Sequence, residues 1–232
     1  NDTFALMHQR KFILICALVV ALGSQLLAQQ GDAEDQVGNW IMYFGANRIS
    51  DVSSIHTEGQ IRLWNIDRNL NQVLLRTGYN YHINEDNLLT AGYAFVYTDE
   101  YATTKATREH RIWQQFIQRH AFDRLQFEHR YRFEQRWVLG SPREDLQARG
   151  RYRLLVNVLL GEGGSSPFFL SFYDEIFLRF TEAPFDQNRL YGALAYRFTN
   201  EMNLQVGYLM NTFQDVNYHR VQFMFIYNPD LR

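Results

Sequence analysis

The sequence predicts an all-β protein: a closed antiparallel up-and-down transmembrane β-barrel of about twelve strands, with ten as the alternative, preceded by a helical signal peptide. Three observations predict it. The first is composition. Among 232 residues there are 14 Tyr, 18 Phe and only 4 Pro, and aromatic side chains favour the pleated surface of a strand. The second is a short apolar run near the N-terminus. The third is a period-two alternation of apolar and charged residues that begins at Trp40 and continues to Tyr227.

The N-terminal element comes first. A polar, positive start (His8 to Lys11) leads into the apolar run Phe12 to Leu22 and then into small residues, Gly23, Ser24 and Ala28. This is the three-part layout of a secretory signal peptide, and the run is short for a bilayer span. Cleavage is expected after Ala28, although Leu26 is larger than the usual residue there. Asn1 to Leu6 precede a plausible initiator, Met7, and read as an upstream extension. The expected organisation is therefore extension plus signal peptide over 1–28, a short periplasmic segment over 29–38, and a barrel over 39–228. The one Cys of the chain, Cys16, falls in the part expected to be removed, which leaves no disulfide or Cys-ligated metal site. No later stretch reaches the roughly 18 consecutive apolar residues of a membrane helix, so a membrane form has to be a barrel.

The clearest strand is Leu125 to Trp137. Leu125, Phe127, His129, Tyr131, Phe133, Gln135 and Trp137 share one face, and Gln126, Glu128, Arg130, Arg132, Glu134 and Arg136 share the other, because successive side chains of a strand point oppositely. Leu89 to Thr98, Phe168 to Glu175, Arg189 to Phe198 and Arg220 to Tyr227 repeat the pattern. Candidate strands centre on Met42, Gln60, Arg76, Tyr93, Gln114, Arg130, Arg153, Phe172, Leu194, Gly207 and Phe223. That is eleven, and the even count usual for bacterial single-chain barrels favours twelve. Short turns at 82–87, 119–124 and 198–203 are assigned to the periplasm, and longer loops at 97–108, 138–144, 179–187 and 212–217 to the outside.

A soluble sandwich or a lipocalin-like binder also alternates. The polar face here, however, is rich in Arg and Glu, and the chain beyond the signal peptide has a single Lys, Lys105. That suits an enclosed lumen, where guanidinium and carboxylate groups cross-link neighbouring strands. Tyr79, Tyr81, Tyr97, Trp137 and Tyr227 are expected in the aromatic girdles at the two membrane interfaces.

Several motifs carry a resemblance. Glu58 to Trp64 (EGQIRLW), Gly78 to Tyr81 (GYNY), Glu109 to Phe116 (EHRIWQQF), His129 to Trp137 (HRYRFEQRW), Arg151 to Leu154 (RYRL), Asp174 to Phe177 (DEIF), Phe185 to Phe198 (FDQNRLYGALAYRF) and Val206 to Leu209 (VGYL) occur in that order. Together they resemble the domain-of-unknown-function 2490 family. The resemblance implies an exported outer-membrane β-barrel and supplies no activity.

The candidate site is the charged lumen: Glu58, Arg62, Arg76, Arg111, Glu128, Arg130, Arg132, Glu134, Arg136, Arg151, Arg153, Glu175, Arg189 and Arg197. Two roles suit it, a pore whose wall favours anions and an ion-pair network that fills a narrow barrel. His110, between Glu109 and Arg111, is expected in the same lattice. A membrane lipid hydrolase or deacylase is the enzymatic alternative, and it needs a His beside a Ser. The residues two places after His56, His82, His110, His120, His129 and His219 are never Ser, so such a site would have to assemble from distant strands. No catalytic residue, metal site or cofactor is assigned. The near-neutral charge of −2 gives no basic field for nucleic acid. The expected partners are outer-membrane lipid, the export and barrel-assembly machinery and possible small solutes, in the outer membrane of a Gram-negative bacterium.

Overall fold

Alternation with few prolines produces strands throughout. The computed structural model describes residues 33, 36–101, 105–141, 146–181 and 183–232; the expected signal peptide, its cleavage site and Cys16 lie outside them. Eleven strands follow in order: β1 (Val37–Ser50), β2 (Ser53–Leu63), β3 (Leu70–His82), β4 (Asn87–Asp99), β5 (Ala106–Phe122), β6 (Leu125–Leu139), β7 (Gln147–Leu159), β8 (Phe168–Arg179), β9 (Phe185–Arg197), β10 (Met202–Thr212) and β11 (Asn217–Tyr227). No helix among these residues is long and apolar enough to cross a membrane, which says nothing about crossing by strands.

Each strand pairs with the next in antiparallel register, and the sheet closes into a barrel when β1 meets β11. The expected count of twelve is corrected to eleven, one for each alternating segment. An up-and-down meander with an odd number of strands brings its first and last strands together pointing the same way. Accordingly β1 and β11 pair in parallel from Val37↔His219 to Phe44↔Ile226. The seam continues into the C-terminal tail, where Arg48 N donates to Pro229 O at 2.9 Å and Leu231 N donates to Arg48 O at 2.9 Å. At the tip, Arg232 Nε donates to Asp230 Oδ1 at 2.8 Å, and that charged contact pulls the Asp230 carboxyl down to about 2.

Turn chemistry sets two different rims. One carries the tight β1–β2 and β5–β6 hairpins, the β3–β4 and β9–β10 turns and the β7–β8 connection. Asp123, in the β5–β6 turn, has φ +53, a left-handed conformation that Asp tolerates better than most residues. The Gly161 to Pro167 connection contains one 3-10 turn at Glu162–Gly164. The other rim carries the β2–β3, β4–β5, β6–β7, β8–β9 and β10–β11 loops, and β1 starts there. Eleven strands thus separate the two ends of the barrel chain. The turns at 82–87, 119–124 and 198–203 lie at the rim opposite the one where Val37 begins β1.

The faces divide as the alternation dictates. Tyr131 is 49% exposed and Phe133 is outward beside it, whereas Arg130, Arg132 and Glu134 on the same strand are buried inside. The outward face of the other strands carries Ile41, Ile61, Leu75, Tyr93, Ile112, Phe172, Leu190, Tyr208 and Phe225, all exposed. The greasy side of this sheet faces out and the charged side faces in.

Candidate functional site

The wall made by β2, β3 and β5 to β7, with Glu175 of β8, holds an ion-pair lattice, built because alternation puts the Arg and Glu side chains of these strands on the inward face. Glu134 on β6 is its hub, with no exposure at all. Arg149 Nη2 lies 2.6 Å from Glu134 Oε2, and Arg151 Nη1 lies 2.7 Å from Glu134 Oε1. Arg111, Arg76 and Arg132 approach the same carboxylate at 3.3, 3.9 and 4.0 Å. Glu175 on β8 accepts from Arg130 Nη2 at 2.7 Å and from Arg151 Nε at 3.1 Å. Glu109 accepts from Arg111 Nε at 2.7 Å and from Arg136 Nε at 2.8 Å. Glu58 accepts from Arg76 Nη1 at 2.7 Å and from Gln60 Nε2 at 2.5 Å, and His56 Nε2 lies 3.1 Å from it. Glu128 pairs with Arg119 and Arg153.

An indole braces this lattice. Trp113 on β5, Gly92 on β4, Gly78 on β3 and His56 on β2 are successive cross-strand partners. A Cβ at Gly78 or Gly92 would lie 2.9 Å from the Trp113 ring. The two glycines therefore leave the floor on which the fully buried indole lies, and the ring ends edge-on against His56, centroids 5.4 Å apart. Arg132 and Arg76 lie over the ring at 4.7 and 5.3 Å, a placement the ring quadrupole favours.

The facing wall, β8 to β11 with β1, is largely neutral. Trp40, Met42, Tyr173, Tyr191, Ala193 and Leu209 form an apolar cluster there, with Phe44, Leu155 and Met224 against it. Between the two walls a cavity of about 670 Å³ extends from Trp64, Phe213 and Tyr218 at the loop rim to Asn203 and Asn228 at the turn rim. Twelve arginines and five carboxylates line it, and Glu134 is a sixth carboxylate buried in its wall. The lumen is cation-rich.

Most residues singled out in the sequence meet here. Arg197 does not; it stands at the turn rim over Phe169, 5.6 Å from the ring. His110 is a correction. It points outward and its Nδ1 lies 2.6 Å from the Tyr93 hydroxyl, because the residues between which it stands, Glu109 and Arg111, own the inward face. Glu109, Arg149, Asp186 and Arg220 were missed. Glu109 shares a face with Arg111 by simple alternation, so its signal was present. Arg149 precedes Gly150, which interrupts the apolar set and hides the strand's phase.

Among the described residues no three His, Cys, Asp or Glu side chains gather as metal ligands. A Ser–His contact does form between the paired strands β2 and β3: Ser54 Oγ lies 2.9 Å from His82 Nε2. Ser54 is buried and accepts from Asn80 Nδ2 at 2.9 Å. The charges acting on His82 are Arg48 and Arg119, cations that oppose an imidazolium and cannot orient it as a triad acid would.

The family model for a protein of unknown function, DUF2490, matches residues 37–222, from the first strand to the middle of the last. The chain belongs to the DUF2490 family. No curated protein and no solved structure matches it. The DUF2490 match covers the whole ion-pair lattice and ends on Gln222, the seam partner of Trp40.

Proposed function

We propose that this chain is an outer-membrane β-barrel whose narrow lumen passes or holds small anions. The observation that carries the reading is the inversion of its faces: charge is enclosed and apolar side chains cover the outside. In water such an outer surface would be a very large exposed apolar patch, far beyond what soluble monomers display. In lipid it is the expected surface. The strands are 11 residues long at β2 and 17 at β5, enough for tilted strands, which need roughly 9–11 residues to cross hydrocarbon. Polar groups on the outward face are partnered, as Tyr93 with His110, His129 Nδ1 with the Tyr152 hydroxyl at 2.9 Å, and Gln114 with Gln135 at 3.2 Å. Asp174 is outward too, and Asn188 Nδ2 donates to it at 3.1 Å. The expected signal peptide supplies export, and the barrel-assembly machinery supplies insertion.

Single-channel recording on the refolded barrel tests the passage. Among the described residues Arg132 and Arg220 hold no carboxylate closer than 4.0 Å, so Arg132→Gln and Arg220→Gln remove positive charge without stranding a tightly paired carboxylate. Discrete anion-selective conductance, shifting towards cations in these variants, is expected. A bilayer silent at every voltage would show a closed, purely structural barrel.

A further inference from the structure

Among the arginines that the lattice does not pair, Arg62 and Arg189 stand where the neutral wall begins. Arg189 on β9 is the direct cross-strand partner of Glu175, yet Glu175 is occupied by Arg130 and Arg151. Arg189 turns instead over Phe177 at 4.6 Å and over Trp40 at 5.1 Å. Its buried Nε has no hydrogen-bond partner among the described residues. Arg62, 8% exposed, lies over the same Trp40 ring at 3.9 Å and donates only to the amide oxygens of Gln60 and Gln72. Two like charges thus converge on one indole with no carboxylate in salt-bridge contact with either among the described residues. Buried charge is costly unless it is paired, so an anion bound between the two would stabilise both. Gln222, beside Trp40 on the seam, is fully buried, and neither of its amide atoms has a hydrogen-bond partner among the described residues.

The chemistry changes immediately beyond Trp40. Met42, Phe44, Met224 and Ile226 line the cavity from there towards the turn rim. A charged contact point continuous with an apolar track matches a molecule with one anionic end and one apolar end. The cavity, about 670 Å³, lies mid-range for small-molecule sites, roughly 300–1,000 Å³.

We propose that the lumen binds an amphiphile with a single anionic head, carboxylate or phosphate, held by Arg62 and Arg189 at Trp40, its aliphatic chain laid along Met42, Phe44, Met224 and Ile226. This deepens the anion-lumen reading and rests on it. The head chemistry fits a fatty carboxylate or an alkyl phosphate.

Titration calorimetry and tryptophan emission on the refolded barrel, with protein-free micelles as reference, test it using dodecanoate, dodecyl phosphate, dodecylamine and inorganic phosphate. Saturable one-to-one binding of dodecanoate or dodecyl phosphate is expected, and which of them binds identifies the head. Arg62→Gln and Arg189→Gln should each weaken it at least tenfold, and Arg189→Lys should retain most of it. Arg189 holds no ion pair among the described residues, so its replacement strands no carboxylate there, and heat-modifiable gel migration verifies that the variants are folded. Dodecylamine binding as tightly as the anions, affinity unchanged in both Gln variants, or inorganic phosphate binding as tightly as dodecyl phosphate would each overturn the proposal. Loss of all saturable binding in a barrel that still conducts anions overturns this inference alone; loss of conductance as well removes the anion-lumen reading.

Discussion

Glu134 stands within 4.0 Å of five arginines, so its single charge offsets a field far larger than itself. Glu134→Gln keeps the shape and strands those cations in a buried site, which typically costs about 3–5 kcal/mol. Denaturant unfolding of the refolded barrel should show a loss of that size, partly restored when Arg149 is also changed to Gln. On the opposite face, Leu75 is 57% exposed in the middle of β3. In a bilayer, Leu75→Arg should cost about 2–4 kcal/mol, whereas an exposed site on a water-soluble barrel tolerates such changes to within about 0.5 kcal/mol. The inward or outward sense of residues such as Arg130 and Tyr131 was legible in the sequence, because alternation fixes it. Which carboxylate each arginine chooses was not, since that depends on cross-strand register and on reach across the lumen.

Strands were legible wherever the apolar and polar sets were both well populated, as in β6. They were harder to phase where small residues enter, and β3 and β4 show why. Gly78 and Gly92 look like weak points in a strand, but Gly78 is the clearance for Trp113, the fully buried ring bridging β5 to β2, and Gly92 leaves room both for that ring and for the β3 backbone at Thr77 and Gly78. Gly78→Leu should therefore destabilise by about 1–3 kcal/mol through overpacking, and Trp113→Ala in the same chain should recover part of that loss. Equal destabilisation with and without Trp113 would show that the glycine serves the backbone alone. No single-sequence pattern announces a side chain that lies across two neighbouring strands, so this brace was invisible before the structure.

At the scale of the whole molecule, the closure was the feature hardest to read. Eleven alternating segments were present in the sequence, and the preference for an even count added one that the described residues do not contain. The parallel β1–β11 seam resolves the parity and carries a topological consequence: Val37 and Arg232 lie at opposite rims. An epitope placed just before Val37 and one after Arg232 should be accessible to antibody from opposite sides of the membrane, one in intact cells and the other only after permeabilisation. Equal accessibility of both would require an even number of strands.

The inverted faces are best tested by site-directed spin labels at Leu75, Ile112 and Leu190 in a Cys16→Ser chain reconstituted in lipid vesicles. Labels at all three positions should collide with dissolved oxygen far more than with a water-soluble nickel complex, as lipid-facing sites do. Preferential contact with the nickel complex at those three positions would place the apolar face in water and contradict the account.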